Sequence, residues 1–134
     1  MPLRSLQIGS SARFHIRGAK GNYERYERYL QNPTDIDLAL VSLFYSALHL
    51  VQAHAIAKCP TRQWPSAPEN HVERSLYISD HLGRIFVDYL RLRSASEDVR
   101  YYLSKPTLDA VREYHDKEFS RIVEFLHTIG ITWL

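Results

Sequence analysis

The sequence predicts an all-α protein, a bundle of four to five helices. Apolar residues recur at spacings of three and four along most of its 134 residues, and no segment alternates convincingly with a period of two. The composition, 45% hydrophobic and 24% charged, is typical of one globular domain. A chain of this length buries roughly two-thirds of its unfolded surface. We therefore expect a single domain with a substantial core.

The N-terminal segment differs in charge from the rest of the chain. Residues 1–20 carry no acidic residue, whereas the whole chain, with 17 Lys+Arg and 15 Asp+Glu, has a net charge of only +2. We predict a basic arm over 1–20, either loosely docked or touching nucleic acid or a partner, and a helical bundle over 21–134. No apolar run of secretory type occurs at the start, so a cytoplasmic location is expected. The cations of the arm are Arg4, Arg13, Arg17 and Lys20.

The first predicted helix covers residues 22–31, with Asn22 as its N-cap. Its tyrosines occur every third position and are expected to cover the core, although a stacking platform for bases would use the same spacing. Asn32-Pro33 interrupts the pattern. Thr34 is then expected to cap a second helix that runs to about Lys58.

The second helix is expected at the centre of the bundle. Residues 38–57 contain no charged side chain, and 20 residues match the span of a bilayer. Polar residues interrupt the segment, which favours a buried core helix over a membrane span. One stripe of small or polar residues predicts the close approach of another helix. This stripe consists of Ser42, Ser46, His49 and Ala53.

A proline-containing loop over residues 59–69 precedes the third helix. Asn70 and Glu73 have the spacing of a capping box. Gly83 is expected to kink or divide the helix that follows.

Two further boundaries are predicted in the C-terminal half. Residues 94–97 indicate a break, with Ser96 capping a short helical turn, and Thr107 is expected to cap the last long helix. Gly130 is expected to end that helix. Its buried face is predicted to consist of Leu108, Val111, His115, Phe119, Ile122, Leu126 and Ile129.

Cofactor and metal motifs are missing from the sequence. There is no glycine-rich phosphate loop, dinucleotide fingerprint, nucleophile elbow or HExxH. The single cysteine, Cys59, excludes an intrachain disulfide and a cysteine zinc site, and a structural role is expected for it. His49 and His54 lie about 140° apart on a helix and form no joint metal face. We predict no cofactor and no metal.

The candidate catalytic residues are Arg74, His81 and His71. On a helix all three share one face, with Arg74 and His81 about 10 Å apart along the axis. Arginine holds a phosphate and histidine transfers protons near neutral pH, which is what metal-free RNA cleavage requires. A structural role, in which Arg74 and His71 pair with an acid or a carbonyl, is the alternative.

A second cluster, Arg100-Tyr101-Tyr102, precedes Lys105-Pro106 and suits a phosphate and a stacked base. The same residues suit a packed corner between helices, which is commoner. Arg74, Arg100 and Tyr101 together also allow a small-nucleotide site.

Several separated elements resemble the HEPN family, in its bacterial helical-bundle form, over about residues 22–129. They are the buried FYSALHL segment at 44–50, His71 with Arg74 opening the next helix, and a later element in which Ser96 precedes Arg100 and Tyr101. His49 also matches this pattern, and we include it with Arg100 and Tyr101 as a candidate nucleic-acid or phosphate-binding residue.

The resemblance implies a bundle that forms homodimers and acts on or near RNA. Many HEPN proteins are metal-independent endoribonucleases of toxin–antitoxin or phage-defence systems, with an arginine followed after a short spacing by histidine. Arg74 and His81, with six residues between them, fit that spacing. Other HEPN domains are inactive modules that bind a nucleotide or a protein, such as an antitoxin or an effector. No membrane partner is expected.

Overall fold

The computed structural model describes residues 8–58 and 68–133, and these residues form helices and turns without a β-strand. This confirms the all-α prediction. Two 3-10 turns, Pro33–Asp35 and Gly83–Ile85, precede the second and fourth helices. The helices are α1 (Ser10–Tyr29), α2 (Ile36–Lys58), α3 (His71–His81), α4 (Phe86–Tyr102), α5 (Leu108–Tyr114) and α6 (Ser120–Thr128).

Helix α2 is the central element, as predicted. Leu43, Phe44, Ala47 and Leu50 have no exposed surface, and α2 contacts each of the other helices. By length and composition, Pro33–Lys58 would be sufficient to cross a membrane, but 67% of its apolar window is buried within the bundle. Such burial is what the core helix of a bundle shows.

Helices α1 and α2 pack closely and antiparallel. The Ser46 hydroxyl donates a hydrogen bond of 2.8 Å to the carbonyl of Ala19. A Cβ at Gly18 would meet the His49 ring at 3.4 Å. The small-residue stripe of α2 is therefore an approach surface for another helix, as expected, and that helix is α1.

The first helix begins at Ser10, twelve residues before the predicted start. Residues 10–20, assigned to the basic arm, form the first half of α1, whereas residues 1–7 lie outside the described part. Ala12 and Ala19 are seven residues apart on the buried face of this helix. The Asn22 amide donates to the carbonyl of Gly18 inside the helix, so Asn22 is not a cap.

The predicted capping residues have mixed outcomes. Asn32, not Thr34, accepts a hydrogen bond at the turn before α2, from the Thr34 amide at 3.1 Å. Asn70 accepts from the Glu73 amide at 2.9 Å and Thr107 accepts from the Ala110 amide at 3.1 Å, so both of those caps are confirmed.

Helix α4 is continuous through residues 94–97, so the predicted break is wrong. Ser96 lies fully buried within the helix and caps no new turn. Three small residues in succession do not interrupt a helix when one side of them packs against neighbours. The division at Gly83 is confirmed, because the 3-10 turn there separates α3 from α4.

Helix α4 ends instead at Tyr102, and the residue that caps it, Leu103, has a left-handed backbone with φ of 55°. A left-handed conformation costs a residue with a Cβ roughly 1–2 kcal/mol. We therefore expect Leu103→Gly to raise the free energy of unfolding by about 1 kcal/mol, measured by urea denaturation. Leu103→Ala is the matched control, because it removes the same exposed side chain but keeps the Cβ. If both variants changed the free energy of unfolding equally, the backbone of Leu103 would not be strained.

The last helical stretch contains a π-helical turn, His115–Phe119, between α5 and α6. This wider turn presents both His115 and Phe119 to Tyr23 of α1, and the Tyr23 hydroxyl lies 2.9 Å from His115 Nε2. Gly130 follows with φ of 92°, which confirms the predicted end. The buried members of the predicted face are Val111, Phe119, Ile122 and Leu126.

Candidate functional site

Arg74 lies at the centre of a polar cluster between the helices. Its side chain is only 8% exposed. Its Nε donates to Gln52 Oε1 at 3.2 Å, and its Nη1 donates to His71 Nδ1 at 3.3 Å. We call the group the Arg74 cluster, and its members are His15, His49, Gln52, His71, Arg74 and Arg93.

The positive charge of Arg74 has no carboxylate beside it within the described residues. Its hydrogen-bond partners, Gln52 and His71, are neutral groups. The remaining residues, 1–7, 59–67 and Leu134, contain no Asp or Glu. Burial raises the pKa of the neighbouring Tyr89 to about 12, although Arg74 opposes that shift. A buried charge normally has an ionic partner, so this guanidinium is suited to receive an anion.

Two histidines from different helices meet at the edge of this cluster. Nδ1 of His15 lies 2.9 Å from Nδ1 of His49, and the rings stack with centroids 5.2 Å apart. Burial, followed by the positive charge of Arg74, lowers the pKa of His15. Burial, His15 and Arg74 lower the pKa of His49. These shifts favour the neutral form of both imidazoles.

His71 is a third imidazole near Arg74 whose neutral form is favoured. Burial lowers its pKa most, and the charges of Arg93, Arg74 and Arg100 lower it further, whereas Glu97 opposes them. Because Arg74 donates to Nδ1, the proton of the neutral ring lies on Nε2. His71 Nε2 is thus a hydrogen-bond donor in this tautomer.

Arg93 connects α4 to this site. Its Nε forms an ion pair of 2.8 Å with Glu97, and its Nη1 donates to Ser75 Oγ at 3.2 Å. Arg93 and Glu97 are partly exposed. Arg93 therefore provides a cation nearer to the surface than Arg74.

Arg100 packs into a corner of aromatic rings. Its Nη1 donates to the Tyr45 hydroxyl at 2.8 Å. Its guanidinium carbon lies 5.8 Å from the Phe44 ring centroid, 5.4 Å from that of Tyr45 and 5.1 Å from that of Tyr101. Phe44 also contacts the ring of His71, which places Arg100 next to the Arg74 cluster.

His81 lies apart from Arg74, at the C-terminal end of α3. Its Nδ1 is 2.9 Å from Lys58 Nζ, and its ring is 4.8 Å from that of Tyr77. Tyr77 in turn lies 2.6 Å from Nδ1 of the buried His54. The structure therefore places His71 in contact with Arg74 and His49 close enough for Arg74 to lower its pKa, whereas His81 has a different set of neighbours.

His54 is expected to make the fold sensitive to acid. Burial, with Lys58 and His81, lowers its pKa to about 4, against about 6.5 in an unfolded chain. Between these values only the unfolded chain binds the proton, so the free energy of unfolding falls as the pH decreases from 6.5 to 4. This pKa shift of His54 corresponds to a loss of about 3 kcal/mol in the free energy of unfolding.

Urea denaturation across this pH range checks the expectation. His54→Gln should reduce the decline, and the part that remains is expected from His15, His49 and His71, whose pKa is lowered as well. The exposed His127→Gln should leave the decline unchanged. An identical pH dependence in wild type and His54→Gln would contradict the assignment.

Metal ligation finds no support in residues 8–58 and 68–133, which contain no group of three or more His, Cys, Asp or Glu able to hold an ion. Cys59 lies outside those ranges, so its expected structural role has no structural description. A cleft of about 330 Å³ at the other end of the bundle is lined by Arg84, Asp88, Arg121 and neighbouring residues. It contains none of the predicted site residues.

Sequence reasoning missed His15, Arg93 and Tyr45 as neighbours of the site. His15 was assigned to the arm, and its contact with His49 joins residues 34 positions apart, for which no local pattern exists. The spacing of Arg93 and Glu97 indicates an ion pair within a helix. It does not indicate that Arg93 also contacts α3, where it donates to Ser75.

Comparison of the chain with protein-family models, with curated proteins and with solved structures finds no match.

Proposed function

We propose that this protein is a HEPN-like RNA-binding protein, in which the Arg74 cluster holds a phosphate of the RNA backbone. The observation that carries the proposal is the buried Arg74 guanidinium, which lacks a carboxylate among the described residues. It contacts His71 and lowers the pKa of His15, His49 and His71, which favours their neutral forms. An anionic ligand would supply the missing negative charge.

The donors of the cluster suit a phosphate group. A guanidinium binds phosphate through a fixed fork of N–H groups, and its hydrogen bonds are stronger where water is excluded. His71 Nε2 adds a neutral donor, and Arg93 adds a second cation closer to solvent. The resemblance to HEPN proteins favours RNA as the molecule that carries the phosphate.

Fluorescence anisotropy with a short labelled single-stranded RNA tests the proposal. We expect binding that weakens as salt is added, because phosphate contacts release counterions. Arg93→Ala should weaken binding about tenfold, since a charged hydrogen bond contributes roughly 1.5–3 kcal/mol. The matched control is Arg84→Ala, an exposed arginine at the opposite cleft. Absence of RNA binding, or equal losses in both variants, would contradict the proposal.

Metal-independent RNA cleavage is a second candidate function. It is favoured by the neutral imidazole of His71, which can accept a proton and contacts the cation of Arg74. One imidazole would take the proton of the 2′-hydroxyl, whose oxygen attacks phosphorus. The P–O5′ bond then breaks and leaves a 2′,3′-cyclic phosphate, and water supplies the proton to the departing 5′-oxygen, while the imidazolium formed in the first step returns its proton to the resulting hydroxide. Arg74 would stabilise the charge on the phosphate in this step.

Incubation of RNA with the protein in the presence of EDTA distinguishes cleavage from binding. Cleavage by wild type that is lost in His71→Asn and retained in His81→Asn would support this candidate, because His81 lies with Lys58 and Tyr77. Intact RNA after incubation with wild type would contradict the cleavage function, and RNA binding would remain as the only proposed function.

The HEPN resemblance extends the proposal to a homodimer in the cytoplasm, with an antitoxin or effector protein as a further partner. Light scattering on the purified protein gives the oligomeric state. A monomer at all concentrations would contradict the dimer.

A further inference from the structure

The end of α4 presents an unusual run of exposed side chains. Tyr101 is 67% exposed, Tyr102 is 77% exposed and Leu103 is 83% exposed. Single exposed apolar residues are ordinary, so exposure by itself assigns no role to these three side chains. Leu103 turns the chain away with its left-handed backbone, so the helix ends directly after the two tyrosines.

Tyr101 differs from Tyr102 in its contact with Arg100. The guanidinium carbon of Arg100 lies 5.1 Å from the centre of the Tyr101 ring. The Tyr45 hydroxyl anchors that guanidinium at 2.8 Å. One face of the Tyr101 ring is thus covered by a cation held in place, while most of the ring is open to solvent.

Arg100 and Phe44 connect this ring to the Arg74 cluster. The charge of Arg100 contributes to the lowered pKa of His71, and the Phe44 ring contacts both Arg100 and His71. A ligand whose phosphate meets the Arg74 cluster would therefore bring its adjoining groups toward Tyr101. A nucleotide carries a flat, neutral base close to its phosphate, so it could place the base on Tyr101 and the phosphate at the Arg74 cluster.

We propose that Tyr101 is a base-stacking platform, so that the site takes single-stranded RNA with an unpaired base on the ring opposite Arg100. This inference rests on the RNA-binding function proposed above. Every base has a π-face, and stacking on an exposed aromatic ring requires that the base be unpaired and unstacked. A duplex of the same sequence presents phosphates but not base faces, so it satisfies only half of the site.

Anisotropy measurements with one labelled RNA strand, alone and annealed to its complement, test the platform. The single strand is expected to bind at least tenfold more tightly than the duplex. Tyr101→Ala should weaken binding of the single strand roughly 5- to 100-fold and leave duplex binding unchanged. Tyr101→Phe should retain the affinity, because it keeps the ring. Tyr102→Ala is the matched control and should bind as wild type does.

A 2-aminopurine base in the strand supplies a second readout. Stacking quenches its fluorescence, so quenching is expected with wild type and Tyr101→Phe and should be absent with Tyr101→Ala. If single strand and duplex bind equally and Tyr101→Ala has no effect, the platform is wrong while RNA binding stands. If neither RNA form binds, the proposed function itself fails.

Discussion

Replacement of Arg74 with methionine is expected to reduce RNA affinity at least tenfold while the bundle stays folded. The loss follows from removal of the buried cation, whose hydrogen bonds to a phosphate would contribute roughly 1.5–3 kcal/mol. Methionine fills a similar volume, and an apolar replacement of a buried charge is often neutral or stabilising. We therefore expect a change of less than about 2 kcal/mol in the free energy of unfolding.

A second readout of the same variant follows from its neighbours. Arg74 lowers the pKa of His15, His49 and His71, so its removal should raise the pKa of each imidazole. The pKa of each ring is obtained from the NMR chemical shifts of the histidines as a function of pH. Arg84→Met is the control that should change neither affinity nor these pKa values. Wild-type affinity in Arg74→Met would contradict the assignment of the phosphate site.

Truncation of Phe44 to alanine is expected to cause a large loss of stability, about 3–5 kcal/mol. Phe44 has no exposed surface, and its ring contacts Tyr45, His71, Tyr89 and the guanidinium of Arg100. The variant would leave a cavity where α2 meets α3 and α4, because closely packed helices do not shift enough to fill the space of one missing ring.

Urea denaturation measures this loss, with Phe44→Leu as the matched control. Leucine keeps most of the buried apolar volume and should cost clearly less than alanine. A loss below about 1 kcal/mol for Phe44→Ala would show that Phe44 is not a core residue of the bundle.

Local patterns predicted much of the fold. The uncharged run of α2, the cap at Asn70, the division at Gly83 and the cap at Thr107 all depend on neighbouring residues, which a sequence displays directly. The start of α1 was missed because its buried face is made by small residues, of which Ala12 and Ala19 give little hydropathy contrast. The basic residues on the other side of that helix then resembled an arm.

The candidate site was predictable only within α3. Periodicity correctly placed His71 beside Arg74, three residues apart. It also placed His81 on the same face, but the neighbours of each side chain come from α2. Gln52 lies beside Arg74, whereas Lys58 lies beside His81, so the two positions belong to different surroundings. The contributions of His15 and Arg93 depend on how helices pack, which no spacing along the chain reveals.

The most direct test of the account follows the Nε–H signal of Arg74 by NMR while single-stranded RNA is added. If the Arg74 cluster binds the phosphate, this signal shifts in proportion to occupancy, and the pKa of His71 rises as the negative charge arrives beside it. If RNA binds while the Arg74 signal and the His71 pKa stay unchanged, the phosphate is held elsewhere and the central claim is contradicted.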